Sequence, residues 1–257
     1  MRLLVWLSAA VLASALPLSA AAGKVGQTPD CVVLLHGLAR TAASMARLEE
    51  ALTDAGFAVA NIDYPSRKHA IEQLAPLAME EGLAACRSRQ AETVHVVTHS
   101  LGGILVRYYL AEHDLPEHGL AEHHLPELGR VVMLGPPNRG SQVVDKLSSL
   151  PGFGLWNGPA GFQLGTDKDS LPRQLGPARF VVGVIAGTRS LNPVFSRLLP
   201  GPDDGKVALE STKLEGMQDF LALPHTHTFM MRSAEVIRQT IFFLRNGRFD
   251  HTDRPRN

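Results

Sequence analysis

The chain has 257 residues, 45% of them hydrophobic, with 25 Lys plus Arg balanced by 25 Asp plus Glu. With no net charge and no long block of one sign, it carries no electrostatic footprint for nucleic acid or for an anionic membrane surface. The length suits one domain with a sizeable core, so the partner must be sought in a site.

Arg2 opens an apolar run over residues 3–15, Pro17 breaks it, and Ser19-Ala20-Ala21-Ala22 offers small residues for signal-peptidase cleavage. Residues 1–22 are expected to be a signal peptide cut after Ala21 or Ala22, leaving roughly 235 residues as one domain over 23–257. The apolar run is short for a bilayer, so no stable membrane span is expected after cleavage, and the mature chain is expected to be periplasmic or secreted. In an oxidising compartment Cys31 and Cys86, the only two cysteines, can form a disulfide or pack as buried thiols. Their spacing leaves both readings open.

Cys31-Val-Val-Leu-Leu35 is a fully apolar run suited to a strand buried on both faces, closed by His36-Gly37. Thr41 or Ser44 can cap a helix running through residues 50–55, with Gly56 as its stop. Residues 57–62 read as a second strand ending in Asp63-Tyr64-Pro65, and residues 69–86 as a second helix. A third strand, 93–98, runs straight into Thr98-His99-Ser100-Leu101-Gly102-Gly103, followed by a helix-compatible stretch. Further strands are expected at 131–134, stopped by Gly135-Pro136-Pro137-Asn138, then at 180–186 and 219–223. A last helix covers 233–246, with Phe242 and Phe243 on its apolar side. Strands alternating with helices require long, right-handed crossovers, so the fold class is α/β: a doubly wound, mostly parallel sheet of about six strands.

Two intervals break the rhythm. LAEHDLPEHG at 110–119 and LAEHHLPELG at 120–129 form a tandem decapeptide with eight of ten positions shared, a lengthening tolerated where a helix leaves the sheet over the surface. It gathers His113, His118, His123 and His124, but Pro and Gly break any fixed ligand spacing, and no metal is expected. Residues 141–179 are long for a connection yet carry Phe153, Leu155, Trp156, Phe162 and Leu164, the composition of a small cap over a site rather than of a disordered loop.

A strand that reverses sharply into a helix around one serine lifts that hydroxyl out of the sheet, which makes Ser100 the candidate nucleophile. A serine hydroxyl is weak at its own pKa and needs a neighbouring base, itself oriented by an acid. Gly201-Pro202-Asp203-Asp204-Gly205-Lys206-Val207, after the fifth strand, supplies two carboxylates. Pro224-His225-Thr226-His227-Thr228-Phe229, after the sixth, supplies two imidazoles. Both segments fall where the carboxyl ends of parallel strands open. Asp63 also lies at a strand end, but it precedes the serine.

His36-Gly37-Leu38, the THSLGG elbow, Asp204-Gly205-Lys206-Val207 and His227 together resemble an α/β hydrolase of the bacterial lipase and esterase kind, over nearly all of the mature chain. The elbow departs from the family's Gly-x-Ser-x-Gly by carrying Thr98 in the first glycine position. The resemblance implies Ser100, Asp204 and His227 as the catalytic residues. Asp204 is chosen over Asp203 by the Asp-Gly-x-Val step, and His227 over His225 by its His-Thr-Phe-like continuation. It implies the backbone amides of Leu38 and Leu101 as the oxyanion hole, with His36 and His99 organising loop and elbow. The expected activity is hydrolysis of a small-molecule or lipid ester through an acyl-enzyme. Acyl transfer or thioester cleavage by the same residues, and a silent hydrophobic-ligand-binding protein on the same fold, are the alternatives. No Gly-rich dinucleotide fingerprint, phosphate loop or metal-ligand spacing occurs, so no cofactor is expected.

Overall fold

The computed structural model describes residues 29–113 and 127–252. The expected signal peptide and most of the decapeptide repeat, with His118, His123 and His124, lie outside the described residues. In chain order the elements are β1 (Cys31–Leu35), α1 (Ala46–Asp54), β2 (Ala58–Ile62), α2 (Ile71–Ser88), β3 (Thr93–His99), α3 (Leu101–Glu112) and β4 (Glu127–Leu134). Then come α4 (Gln142–Leu147), α5 (Phe153–Phe162), α6 (Leu171–Gln174), β5 (Val182–Gly187), α7 (Pro193–Ser196), α8 (Leu209–Thr212), β6 (Asp219–Leu223) and α9 (Ala234–Asn246). The strands form one sheet in the order β2-β1-β3-β4-β5-β6, and every pairing is parallel.

Successive residues of a strand face opposite sides, and here both sides are core. Cys31, Val33 and Leu35 of β1 pack with Leu74 and Leu83 of α2 and Ile104 and Leu105 of α3. Val32 and Leu34 pack with Leu48 and Leu52 of α1 and Phe243 and Leu244 of α9. That double burial is why the central strands read as unbroken apolar runs. Cys31 and Cys86 are disulfide-bonded, tying the start of β1 to α2.

The chain passes outward from β1 to β2 and returns to β3 on the other side of β1. The loops leaving β1 and β3 therefore diverge and open a crevice at their carboxyl ends, the place where such sheets bind ligands.

Several boundaries differ from the sequence expectation for physical reasons. Thr41 does not cap the first helix through its side chain; a short 3-10 turn over Ala42–Met45 precedes α1, and the Ala42 amide donates to Asp63 Oδ1 at 2.9 Å. The cap thus comes from the loop after the neighbouring strand β2. Strand β4 starts at Glu127, pairing with Thr93, ahead of the apolar stretch at 131–134; its first residues lie beside an irregularity between Val94 and Val96, with His95 between them. Gly129 lies so close to the His95 ring that a Cβ there would sit 2.3 Å from Nδ1. Of these early ladder residues, Glu127 is exposed and Leu128, Gly129 and Arg130 are half-exposed, and one leucine among them makes no alternation.

Residues 141–179 fold into α4, α5 and α6. Helix α5 approaches the rim of the sheet through its small residues. A Cβ on Gly158 (φ +64°) would lie 1.9 Å from the Arg67 carbonyl oxygen, and one on Gly161 would lie 3.4 Å from Leu38 Cδ2. The helix is kinked at Gly158, whose ψ of −173° is not helical, and the large side chains of the segment divide: Leu155 is 82% and Trp156 70% exposed, whereas Leu164 is buried in the core.

Candidate active site

Ser100 sits between β3 and α3 with φ +54° and ψ −117°, a left-handed backbone that a non-glycine residue adopts only when its surroundings impose it. Close packing on both sides imposes it. A Cβ on Gly102 would lie 2.7 Å from the Leu35 carbonyl oxygen, and one on Gly37 3.2 Å from Ser100 Cβ. The Ser100 amide donates to the Leu134 carbonyl oxygen at 2.9 Å. Thr98, in the place where the resemblance has glycine, is fully buried, and its hydroxyl has no hydrogen-bond partner. Its Oγ1 lies opposite Gly103, where a Cβ would come within 3.4 Å, so the space for the larger side chain comes from the helix.

His227 Nε2 lies 3.0 Å from Ser100 Oγ, and His227 Nδ1 lies 2.7 Å from Asp204 Oδ2. The carboxylate accepts the Nδ1 proton, which leaves Nε2 as an acceptor facing the hydroxyl. Asp204 is held in turn: its Oδ1 accepts from the amides of Lys206 and Val207 at 3.0 and 2.8 Å, and its carbonyl oxygen accepts from the His227 amide at 2.9 Å. Asp204 and His227 are 2% and 4% exposed, whereas Ser100 is half-exposed. The relay is therefore sealed at its acid end and open at its hydroxyl end.

The sibling residues are directed elsewhere. Asp203 Oδ1 accepts from the Gly205 amide at 2.7 Å and from Ser196 Oγ at 2.9 Å, serving the turn. His225 Nε2 lies 3.0 Å from both Glu235 Oε2 and Ser233 Oγ at the start of α9. Asp63 accepts from the Ala42 amide, on the far side of the His36 loop. His99 Nε2–H donates to the His227 carbonyl oxygen at 2.9 Å. Burial, together with the charge of His227, holds the His99 ring well below its usual pKa.

The loop 36–40 lies against the serine. His36 is buried, its ring stacked on Tyr64 at 4.0 Å between centroids, and burial pulls its pKa down. Leu38 lies at the second position of a turn closed by the Arg40 amide on the Gly37 carbonyl oxygen at 3.2 Å. Leu101 opens α3, so its N–H stands outside the intrahelical ladder. Both Leu38 and Leu101 therefore flank Ser100, one in each of the diverging loops.

Some residues of the site carry no motif. Gly135 has φ +56°, and a Cβ there would lie 3.1 Å from Asp204 Oδ2 and 3.2 Å from His227 Nδ1. The sequence shows it only as a strand stop before two prolines. Arg107 of α3, with its pKa pulled down to about 10 by burial, donates to the carbonyl oxygens of Asn138 and Gly176 at 3.0 and 2.8 Å. It ties the loop after β4 to the end of the 141–179 segment.

Among the described residues no helix is long and apolar enough to cross a membrane. No group of three or more His, Cys, Asp or Glu among them could hold a metal ion.

A family model described as "Alpha/beta hydrolase family" matches residues 32–247. No curated protein matches the chain. Among solved structures, the mature form of Bacillus licheniformis lipase BlEst2 superposes with a TM-score of 0.61 at 20% identity, over 86% of this chain and 93% of that one. Aspergillus fumigatus lipase B gives 0.59 at 16% identity, over 90% and 56%. The metagenomic carboxyl esterase MGS0156 gives 0.57 at 20% identity, over 79% and 66%. At these identities the likeness is one of fold.

Proposed function

We propose that this chain, which belongs to the alpha/beta hydrolase family, hydrolyses carboxylic esters through an acyl-enzyme on Ser100. The observation that carries the reading is the continuous relay from Ser100 Oγ to His227 Nε2 at 3.0 Å and from His227 Nδ1 to Asp204 at 2.7 Å. That neighbours in fold are named lipase or carboxyl esterase supports esters as the substrate class.

In this mechanism Ser100 Oγ attacks the ester carbonyl carbon while His227 Nε2 takes its proton. The oxyanion accepts hydrogen bonds from the Leu38 and Leu101 amides, and losing one such donor typically costs about 3 kcal/mol of barrier. The bond to the alcohol oxygen breaks as His227 returns the proton to it. Water, deprotonated by His227, then attacks the acyl carbon, and Ser100 Oγ leaves with the proton as the acid is released. Asp204 orients the ring and stabilises the imidazolium formed in each half-reaction.

The 141–179 segment is a small cap in this reading. Because the cap is small, it suits acyl chains of short to medium length. Export belongs to the same proposal: residues 1–22 read as a signal peptide, and the Cys31–Cys86 bond supports an oxidising compartment.

A fluorophosphonate probe should label the wild type and fail to label Ser100→Ala. A folded wild type that stays unlabelled would sink the enzymatic reading in favour of a binding protein. With nitrophenyl esters of increasing length, turnover should peak at short to medium chains, and a steep rise on aggregated long-chain ester would count against the cap argument. Addition of a competing alcohol should leave free acid as the main product; a new ester instead would identify an acyltransferase.

A further inference from the structure

The direction of the Leu38 N–H is a matter of peptide geometry. In a trans peptide the carbonyl of one residue and the N–H of the next point opposite ways in one rigid plane. The Gly37 carbonyl oxygen is pinned inward by two donors, the Arg40 amide at 3.2 Å and His36 Nδ1–H at 2.9 Å. The Leu38 N–H, in the same plane, is therefore turned out of the loop. The third residue of this turn, Ala39, is left-handed, at φ +54°. Alanine resists this conformation because its Cβ crowds the following carbonyl. A group outside the turn has to hold it there.

That group comes from the neighbouring loop after β2. The Ala39 amide donates to Ser66 Oγ at 3.1 Å. Ser66 is only 3% exposed, and its own amide is anchored on the Tyr64 carbonyl oxygen at 2.8 Å. Tyr64 is clamped to the same loop on its other side, its hydroxyl donating to the His36 carbonyl oxygen and its ring lying within 5° of parallel to His36. The sequence around Ser66, Tyr64-Pro65-Ser66-Arg67, carries no catalytic motif, and its position relative to residue 39 is set by the pairing of β1 with β2 and by the Tyr64 clamp.

We propose that Ser66 is a positioning residue for the oxyanion loop: its hydroxyl oxygen holds the Ala39 amide in the left-handed turn that aims the Leu38 N–H toward the reacting carbonyl at Ser100. The inference rests on the serine-hydrolase reading above. Ser66 touches neither substrate nor Ser100, and it acts on the barrier rather than on substrate binding, because the oxygen it serves carries full charge only in the tetrahedral state.

The test is kinetic, with nitrophenyl ester as substrate and a boronic acid as the tetrahedral mimic, on wild type, Ser100→Ala, Ser66→Ala, and Ser66→Ala combined with Ala39→Gly. For Ser66→Ala, kcat should fall roughly tenfold or more with KM within about twofold, and boronate affinity should fall by a similar factor. Glycine at 39 adopts the left-handed turn without a held amide, so the double variant should regain several-fold of the lost kcat. A merely structural role would lower the folded fraction while leaving the kcat of the folded enzyme and its boronate affinity unmoved. An active wild type whose kcat and boronate affinity are unmoved in Ser66→Ala, or a loss confined to KM, would overturn the positioning role alone. A folded wild type as inactive as Ser100→Ala would overturn the hydrolase reading and this role with it.

Discussion

His99 Nε2–H donates to the His227 carbonyl oxygen at 2.9 Å, so the side chain beside Ser100 in sequence holds the backbone of the residue beside Ser100 in space. The bond assigns the ring's one proton to Nε2, since a carbonyl oxygen can only accept. Nδ1 is left buried without a partner, beside Gly37, where a Cβ would fall 2.8 Å away. A second proton there would place a charge in the core next to His227.

This has a consequence for stability against pH. His36, His95 and His99 all have folded pKa values lowered from 6.5, burial being the largest cause in each. Well above pH 6.5 they are neutral in both states and contribute nothing to the pH dependence. As pH falls below 6.5, the unfolded chain takes up protons that the folded chain refuses, so stability drops by up to about 1.4 kcal/mol per pH unit for each histidine. Urea unfolding between pH 7.5 and pH 5 should show this decline, with a shallower slope in His99→Gln. Stability that is level or rises on acidification would contradict the burial of neutral rings.

Asp203 and Asp204 should separate in kinetics. Asp204→Asn removes the acceptor that fixes the His227 tautomer, and kcat should fall by roughly 10³ to 10⁴. Asp203→Asn disturbs only a turn, with a stability cost of about 1 kcal/mol and kcat within tenfold of wild type. Comparable kcat losses in the two would mean the carboxylates share the role.

Two glycines with the same backbone sign should differ in cost. Gly176 has φ +65°, and nothing lies within 4 Å of where a Cβ would stand, so Gly176→Ala should cost about 1–2 kcal/mol from the backbone alone. Gly158, at φ +64°, would drive its Cβ to 1.9 Å from the Arg67 carbonyl oxygen. Gly158→Ala must also push α5 off the rim, and should cost at least about 3 kcal/mol in a denaturant titration. Equal losses would show that α5 is not seated on Arg67.

The disulfide spans a sequence separation of 55, and a loop of that length restrains the unfolded chain by about 4 kcal/mol in the chain-entropy account. Replacing both cysteines by alanine should lower unfolding stability by about 2–4 kcal/mol, and a reducing agent should affect the wild type but not the double variant. Free thiols counted in the unreduced, denatured wild type would refute the bond.

How far the chain could be read without coordinates follows from the range of the forces involved. β1 is legible to the residue because a strand buried on both faces announces itself as an apolar run, and the elbow because its turn chemistry is local. The first residues of β4 are not, since Glu-Leu-Gly-Arg at the exposed start of the strand carries no alternation. The outward turn of Trp156 was hidden too, because it depends on which face of α5 can approach Arg67 and Leu38.

Composition, periodicity and the THSLGG turn were enough by themselves to specify a doubly wound α/β sheet with a serine lifted at the end of its third strand. Family resemblance points to Asp204 and His227, but composition and periodicity do not, and the contact itself is a matter of three dimensions. Asp203 and Asp204, like His225 and His227, are chemically alike within each pair and near neighbours in sequence. What separates them is the direction each side chain takes once β5 and β6 have brought their loops to the rim beside β3. Spatial convergence of that kind leaves no periodic trace along the chain, and the same holds for Ser66, which reaches Ala39 only because β1 and β2 lie side by side.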